Sequence, residues 1–110
     1  MGITKSNLFT EDQNQLAKVA KVLGHPARIA ILDVLLTAET CICGDLVEEL
    51  GLAQATISQH LRELKSVGII QGNIEGKSVC YCINPEQWQY ISHQFTKMFQ
   101  RFPSSHSDCC

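Results

Sequence analysis

The sequence predicts a mainly α-helical fold of the winged helix-turn-helix class, with the element order α-α-α-α-β-β-α. The central observation is a pair of short helical patterns joined at Gly51, a residue that tolerates the left-handed conformation in which helices end. Two runs rich in β-branched residues, 69–74 and 78–83, follow the second pattern and predict a hairpin. A hairpin directly after such a helix pair is a wing, and the second helix is the one that enters the DNA major groove.

Length and composition limit the class of protein. The chain has 110 residues, 45% hydrophobic and 18% charged, as expected for one globular domain, which we place at 11–102 between an N-terminal tail, 1–10, and a polar Cys-containing tail, 103–110. Because no apolar run approaches the roughly 18 residues of a membrane span and 1–10 lacks a signal segment, we expect a cytoplasmic protein without a membrane partner. The net charge of -2 argues only weakly against nucleic-acid binding.

Two helical patterns precede the helix-turn-helix. Thr10 and Gln13 form a capping box, which predicts a first helix from Glu11 that ends at Gly24. Pro26 restarts the chain at the first position of a second helix, where its missing N–H costs nothing. The core face predicted for this second helix consists of Ile29, Leu32, Leu35 and Leu36.

The last helix begins at Asn84 and Pro85, a cap followed by a first-turn proline, and we expect it to reach about Phe102. Its apolar residues form a face larger than one small domain covers, so a monomer would expose it. We therefore predict a homodimer through the first and last helices, which would also place two reading helices one DNA turn apart. The residues of this face are Trp88, Ile91, Phe95, Met98, Phe99 and Phe102.

The second helix of the pair buries the stripe Ile57, Leu61 and Leu64 and turns a polar face outward. Amide and hydroxyl side chains suit base edges, and the basic ones suit phosphates. The alternative interpretation is a solvated helix face, and the histidine next to Leu61 could instead pack against the core. The candidate DNA-binding residues are Gln54, Thr56, Ser58, Gln59, His60, Arg62, Lys65 and, at the tip of the wing, Lys77.

The six cysteines form three close pairs, and without a signal peptide we expect them in a reducing compartment. Cys41 and Cys43 stand at the entrance to the first helix of the pair, where the helix dipole favours thiolates. Thiolates select soft ions such as Zn(II), Cd(II), Cu(I) or trivalent arsenic. Side chains two positions apart on a regular helix point about 200° apart around its axis. Both thiols therefore reach one ion only if this turn is irregular.

The other two cysteine pairs have separate interpretations. Cys80 and Cys82 share one face of a predicted strand, and we interpret them as packing residues. A trivalent arsenic centre requires a third thiolate, and Cys109 or Cys110 on the tail could supply it. The candidate metal ligands are therefore Cys41 and Cys43, with one tail cysteine as the possible third.

Four segments of the chain, 23–32, 41–46, 54–61 and 76–81, together carry a resemblance to a known family. On these segments the chain resembles the ArsR/SmtB family of metal- and metalloid-responsive repressors. The resemblance implies a homodimeric repressor that leaves double-stranded operator DNA when an inducer binds, without a constitutive cofactor. It is similar to the arsenic- and cadmium-responsive members, which implies As(III) as the inducer, with Cd(II), Zn(II) and Sb(III) as further candidates. Two positions depart from the family pattern, Gly44 before the acid Asp45 and Ala53 in place of Ser or Thr.

Two other functions stay open. One is a repressor of the same fold in which the cysteines respond to oxidation or persulfides, since exposed thiols of low pKa also oxidise. The other is a helix-turn-helix interaction module with inert thiols. The sequence shows no nucleophile–base pairing and no phosphate-binding loop, so we do not expect an enzyme.

Overall fold

The computed structural model describes residues 8–44, 50–76 and 78–103. The predicted helix between Cys43 and Gly51 falls almost entirely outside these ranges, as do Lys77, Cys109 and Cys110. No helix in the described ranges has the length and apolar character needed to cross a membrane. The elements, in chain order, are α1 (Glu11–Leu23), α2 (Pro26–Ala38), β1 (Ile42–Cys43), α3 (Gln54–Ser66), β2 (Ile70–Asn73), β3 (Cys80–Ile83) and α4 (Pro85–Phe99).

The predicted helix starts are confirmed by their caps. The hydroxyl of Thr10 accepts a hydrogen bond from the backbone N–H of Gln13 at 3.0 Å. The side-chain oxygen of Gln13 accepts one from the backbone N–H of Thr10, also at 3.0 Å. At α4, the Asn84 side chain accepts from the backbone N–H of Gln87 at 3.3 Å. Helix α3 begins after Ala53 without a side-chain cap, which forgoes about 1 kcal/mol of stabilisation.

Helix α4 ends at Phe99, earlier than the predicted Phe102. The backbone N–H of Gln100 bonds to the carbonyl oxygens of Thr96 and Met98, which tightens the final turn. A residue directly before a proline avoids the helical region, so the chain has to leave the helix before Pro103.

The core lies between the four helices and the inner face of the sheet. On α2 the predicted face is partly wrong, because Ile29 and Leu36 are 44% and 42% exposed. Leu32 and Leu35 are buried as predicted, and Ile31 is buried with them. These three residues lie within about 100° of one another around the helix, which leaves Ile29 and Leu36 beyond one edge of the buried face. The buried core residues are Val19, Val22, Ile31, Leu32, Leu35, Ile57, Leu61, Leu64, Val67, Ile69, Ile70, Ile74, Tyr81 and Ile91.

The predicted wing is present as an antiparallel hairpin of β2 and β3, and a further strand joins it. Strand β1 pairs with the other edge of β3, which gives the order β1-β3-β2 and sets Ile42 opposite Tyr81. The sequence pattern had placed this segment at a helix entrance. Gly44 ends the strand with a φ of 98°, and its N–H bonds to the carbonyl oxygen of Val79 at 3.0 Å.

Candidate thiol site and nucleic-acid interface

Four cysteines meet on the outer face of the three-stranded sheet. Cys43 lies opposite Cys80, with their Cα atoms 4.0 Å apart, and Cys41 lies opposite Cys82, with their Cα atoms 4.3 Å apart. The structure joins each pair as a cross-strand disulfide between β1 and β3. We call these four residues the thiol quartet.

Strand geometry accounts for the thiol quartet. Side chains alternate along a strand, so the cysteines that flank Ile42 share one face, and so do those that flank Tyr81. The bond from the Gly44 amide to Val79 marks a hydrogen-bonded pair at the end of the ladder. Both cysteine pairs therefore occupy the intervening non-hydrogen-bonded positions, where opposite side chains approach most closely.

This arrangement changes both interpretations of the cysteines. Cys41 and Cys43 lie on a strand rather than on a helix, so they share a face and the expected 200° divergence does not arise. Cys80 and Cys82, interpreted as packing residues, are half-buried and lie on the face opposite the fully buried Tyr81. They face the other cysteines instead of the core.

The two ends of the thiol quartet open onto different surroundings. At the Cys41–Cys82 end, a depression of about 440 Å³ is lined by apolar residues of α2, with Glu39 as a charged neighbour. At the Cys43–Cys80 end, a depression of about 500 Å³ extends to Gln54, the first residue of α3. The second end of the quartet therefore adjoins the predicted recognition helix.

Most of the predicted DNA-binding residues of α3 lie on an accessible face. Gln54, Thr56 and Gln59 are exposed, and Ser58 is half-buried. The Gln54 side chain donates to the Ser58 hydroxyl at 3.4 Å. The polar face that sequence reasoning assigned to DNA is thus available along the first two turns of α3.

The basic residues of α3 contact the wing. Arg62 donates to Glu75 at 3.1 Å and to the Gln59 side chain at 3.0 Å, and the Arg62–Glu75 pair is exposed. Lys65 donates from Nζ to the carbonyl oxygen of Gly72 at 2.7 Å. Within the described residues, these side-chain contacts join the recognition helix to the wing on the side that carries Arg62 and Lys65.

His60 occupies a different environment from its neighbours on α3. It is only 6% exposed, and its Nδ1 accepts a hydrogen bond from Nε of Arg28 at 3.1 Å. Its ring centroid lies 4.4 Å from that of His25. Burial, followed by the charges of His25 and Arg28, lowers the pKa of His60 from its ordinary 6.5. His60 is therefore buried against the core, as in the alternative interpretation, and does not lie on the exposed face of α3.

With the thiol quartet joined as disulfides, the described ranges contain no group of three or more His, Cys, Asp or Glu residues able to hold a metal ion. A metal-binding role for the quartet therefore requires the reduced, dithiol state. Sequence reasoning did not predict that Cys80 and Cys82 lie opposite Cys43 and Cys41 and complete the thiol quartet. The available signal was the recurrence of a Cys-x-Cys pattern in two segments, each able to present both thiols on one strand face.

Comparison with known proteins identifies relatives of the chain. The family described as bacterial regulatory protein, arsR family, matches residues 25–71, from the start of α2 to the first strand of the wing. The chain is 35% identical over 78 residues to an arsenical resistance operon repressor of Staphylococcus xylosus, covering 71% of this chain and 74% of that protein. It is 39% identical over 83 residues to a cadmium resistance transcriptional regulatory protein CadC homolog of Staphylococcus aureus, covering 74% and 68% respectively.

A solved structure shows the same fold. The crystal structure of Rv0081 from Mycobacterium tuberculosis superposes with a TM-score of 0.57 at 30% sequence identity, covering 81% of this chain and 90% of that one. This superposition confirms the predicted winged helix-turn-helix class. The family match ends at residue 71, so it includes Cys41 and Cys43 but stops before Cys80 and Cys82.

Proposed function

Because this chain belongs to the ArsR family of bacterial transcriptional regulators, we propose that it is a repressor that leaves its operator when trivalent arsenic binds its cysteine thiolates. Regulators of this family bind operator DNA, and the relatives are repressors and regulators rather than enzymes, which confirms the expectation that this chain is not an enzyme. The identity of the inducer is the proposed part.

The DNA-binding part of the proposal rests on the exposed face of α3. A helix in the major groove reads bases with residues in its N-terminal half, where Gln54, Thr56 and Gln59 present amide and hydroxyl groups to solvent. Arg62 and Lys65 follow on the side of the wing and would contact phosphates. Lys77, at the tip of the wing and outside the described ranges, remains a predicted phosphate contact.

The sensing part rests on one observation, that Cys41 and Cys43 are exposed and share a face immediately before the helix-turn-helix. Thiolates favour soft ions, and two relatives are named for resistance to arsenic and to cadmium. We therefore propose As(III) as the inducer, with Cd(II), Sb(III) and Zn(II) as competitors to be tested. We place the protein in a reducing cytoplasm, which keeps these thiols available.

We also propose that the repressor is a homodimer through α1 and α4. Leu8 and Phe9, before α1, are 75% and 53% exposed, and Phe99 at the end of α4 is 68% exposed. Helices α1 and α4 contact each other, and these apolar side chains lie before the start of α1 and at the end of α4. A second copy would cover them and supply the second recognition helix that a two-fold operator requires.

A thiol redox switch is the second candidate function, and the pairing of the thiol quartet favours it. Each cross-strand pair can lose two hydrogens to a peroxide, which forms one disulfide and two waters and would lock β1 to the wing strand. The inert-thiol module has no comparable support, because Cys41 and Cys43 are exposed and the other two are half-buried.

One titration separates these functions. The reduced protein is bound to a fluorescent operator duplex selected from random DNA, and arsenite, cadmium, zinc, hydrogen peroxide or a persulfide donor is added while anisotropy is followed. The proposal predicts release by arsenite in the wild type and none in a Cys41→Ser/Cys43→Ser variant that still binds DNA. Release by peroxide or persulfide alone would select the redox switch. Stable binding under every addition would refute both.

A further inference from the structure

We propose that the whole thiol quartet, Cys41, Cys43, Cys80 and Cys82, is one arsenic(III) site in which the wing strand supplies ligands together with β1. This inference rests on the proposed function and defines where its inducer binds. It replaces the tail cysteines, Cys109 and Cys110, as the source of the third thiolate. It also makes the ion a bridge between two strands rather than a ligand of one segment.

The spacing of the quartet suits a shared ion. The cross-strand Cα distances are 4.0 and 4.3 Å, and two residues along a strand span about 6.6–6.8 Å. All four side chains leave the same face of the sheet, and rotation about χ1 brings neighbouring sulfurs together along each strand. The four thiols therefore form the corners of a compact rectangle that is open to solvent on one side.

The one-sided approach of the thiols selects the kind of ion. Tetrahedral Zn(II) needs four ligands distributed around it. Trivalent arsenic forms three bonds in a pyramid and carries a lone pair on the remaining side, so its three sulfurs lie together below it. Thiols from a single sheet face match the pyramid better than the tetrahedron. The site therefore favours As(III), and Sb(III) of the same geometry, over Zn(II).

The binding step needs no oxidant. Neutral arsenous acid loses three As–O bonds and gains three As–S bonds, the three thiol protons leave in three waters, and arsenic stays trivalent. The depression at the Cys43–Cys80 end has no charged side chain among its described lining residues, which suits a neutral ligand. Any three of the four thiols include at least one from each strand, so the bound ion always links β1 to β3.

The link between β1 and β3 would reach the DNA-binding surface. Strand β3 pairs with β2, and the wing contacts α3 through the Lys65–Gly72 bond at 2.7 Å and the Arg62–Glu75 pair at 3.1 Å. The same end of the quartet shares a depression with Gln54. An ion that changes the spacing of β1 and β3 therefore acts on the wing, which contacts α3, and on the depression that Gln54 lines.

Because the quartet has four thiols and As(III) binds three, each single thiol should be dispensable. The full-length protein is reduced, freed of reductant under nitrogen and titrated with arsenite. Two quantities are recorded: the As–S absorption in the near ultraviolet, and the number of thiols that still react with an aromatic disulfide reagent. Wild type should bind one arsenic per chain and lose three reactive thiols. Each single Cys→Ser variant of the quartet keeps three thiols and should still bind one arsenic.

Double variants decide the outcome. Cys80→Ser/Cys82→Ser should weaken arsenic binding by about tenfold or more, because the third thiolate is no longer held beside the other two. The control Cys109→Ser/Cys110→Ser should bind as the wild type does, and circular dichroism verifies that each variant is folded. Unchanged binding in the first double variant, or lost binding in the second, would overturn the inference. Arsenic that binds with this pattern but leaves operator binding intact would instead refute the proposed function.

Discussion

The guanidinium of Arg28 joins the start of α2 to the recognition helix through His60. Its Nε donates to Nδ1 of His60 at 3.1 Å, and its Nη1 donates to the carbonyl oxygen of Val22 at 3.0 Å. His25 packs against the same imidazole and caps α2 by accepting from the Ala27 amide at 3.1 Å. These contacts fix the junction of α1 and α2 against the inner side of α3.

Arg28→Lys should destabilise the fold. A lysine keeps the charge but lacks the planar fork that serves two acceptors at once, so His60 or the Val22 carbonyl loses its partner. We expect a loss of about 1–3 kcal/mol in the free energy of unfolding, seen as a lower urea midpoint with an unchanged slope. Arg101→Lys, at an exposed position after α4, is the control and should keep the wild-type midpoint. Equal midpoints for both variants would show that the contacts carry no net energy.

The stability of the protein should rise with pH in the range just below 6.5. Burial, with the charges of His25 and Arg28, lowers the pKa of His60 below its ordinary 6.5, so in this range the unfolded chain binds more protons than the folded one. The stabilisation is complete above the unfolded pKa and is lost as the pH falls toward the folded pKa. Melting temperatures between about pH 5 and 7.5 should show this slope, and His60→Asn should flatten it. His93→Asn, at an exposed position, should retain it.

Gly72→Ala should unfold the wing more severely than Gly76→Ala. Both glycines have positive φ, 116° and 88°, but a Cβ on Gly72 would clash with the backbone oxygen of Cys80 and lie 2.9 Å from Cα of Tyr81. A Cβ on Gly76 meets nothing within 4 Å. We expect about 1–2 kcal/mol of strain at Gly76 and at least about 1 kcal/mol more at Gly72, measured by chemical denaturation. Similar losses of unfolding free energy in the two variants would show that the positive φ alone causes the destabilisation and that the clash at Gly72 adds nothing.

Lys65→Ala and the pair Ser58→Ala/Gln59→Ala should weaken DNA binding in different ways. Removal of a phosphate contact lowers affinity for all sequences and reduces the slope of log K against log salt concentration by about 1 per site. Removal of base contacts lowers affinity for the selected operator and leaves the slope for random DNA unchanged. Anisotropy titrations at several salt concentrations distinguish the two. A Lys65→Ala variant with the wild-type slope would show that its bond to the Gly72 carbonyl is its only role.

Local sequence patterns predicted the features that depend on local chemistry. The Thr10–Gln13 capping box, the Asn84 cap and the hairpin are fixed by residues within a few positions of one another. Strand β1 was not predictable in this way, because its two residues become a strand only by pairing with β3, which is remote in sequence. The thiol quartet depends on that same pairing, so its two halves were visible in the sequence and their register was not.

His60 illustrates the other limit of sequence reasoning. Its neighbours Gln59 and Arg62 face solvent, and its position beside Leu61 allowed either contact with DNA or packing against the core. Its burial depends on Arg28, whose position on α2 places a donor beside the imidazole. A buried polar group is acceptable where such a partner exists, and a single sequence does not reveal the partner.

The dimer prediction can be tested through α4. Phe99 is 68% exposed, stacks on Phe95 with ring centroids 6.1 Å apart, and continues the apolar face of α4 past the core. Light scattering at micromolar concentration should give twice the chain mass for the wild type, and Phe99→Glu should give the monomer mass because it places a charge in the proposed interface. Tyr90→Glu is the matched control, since Tyr90 lies about 180° away around the same helix and is also exposed. A monomeric wild type would refute the dimer. A dimer that survives Phe99→Glu but not Tyr90→Glu would place the interface elsewhere.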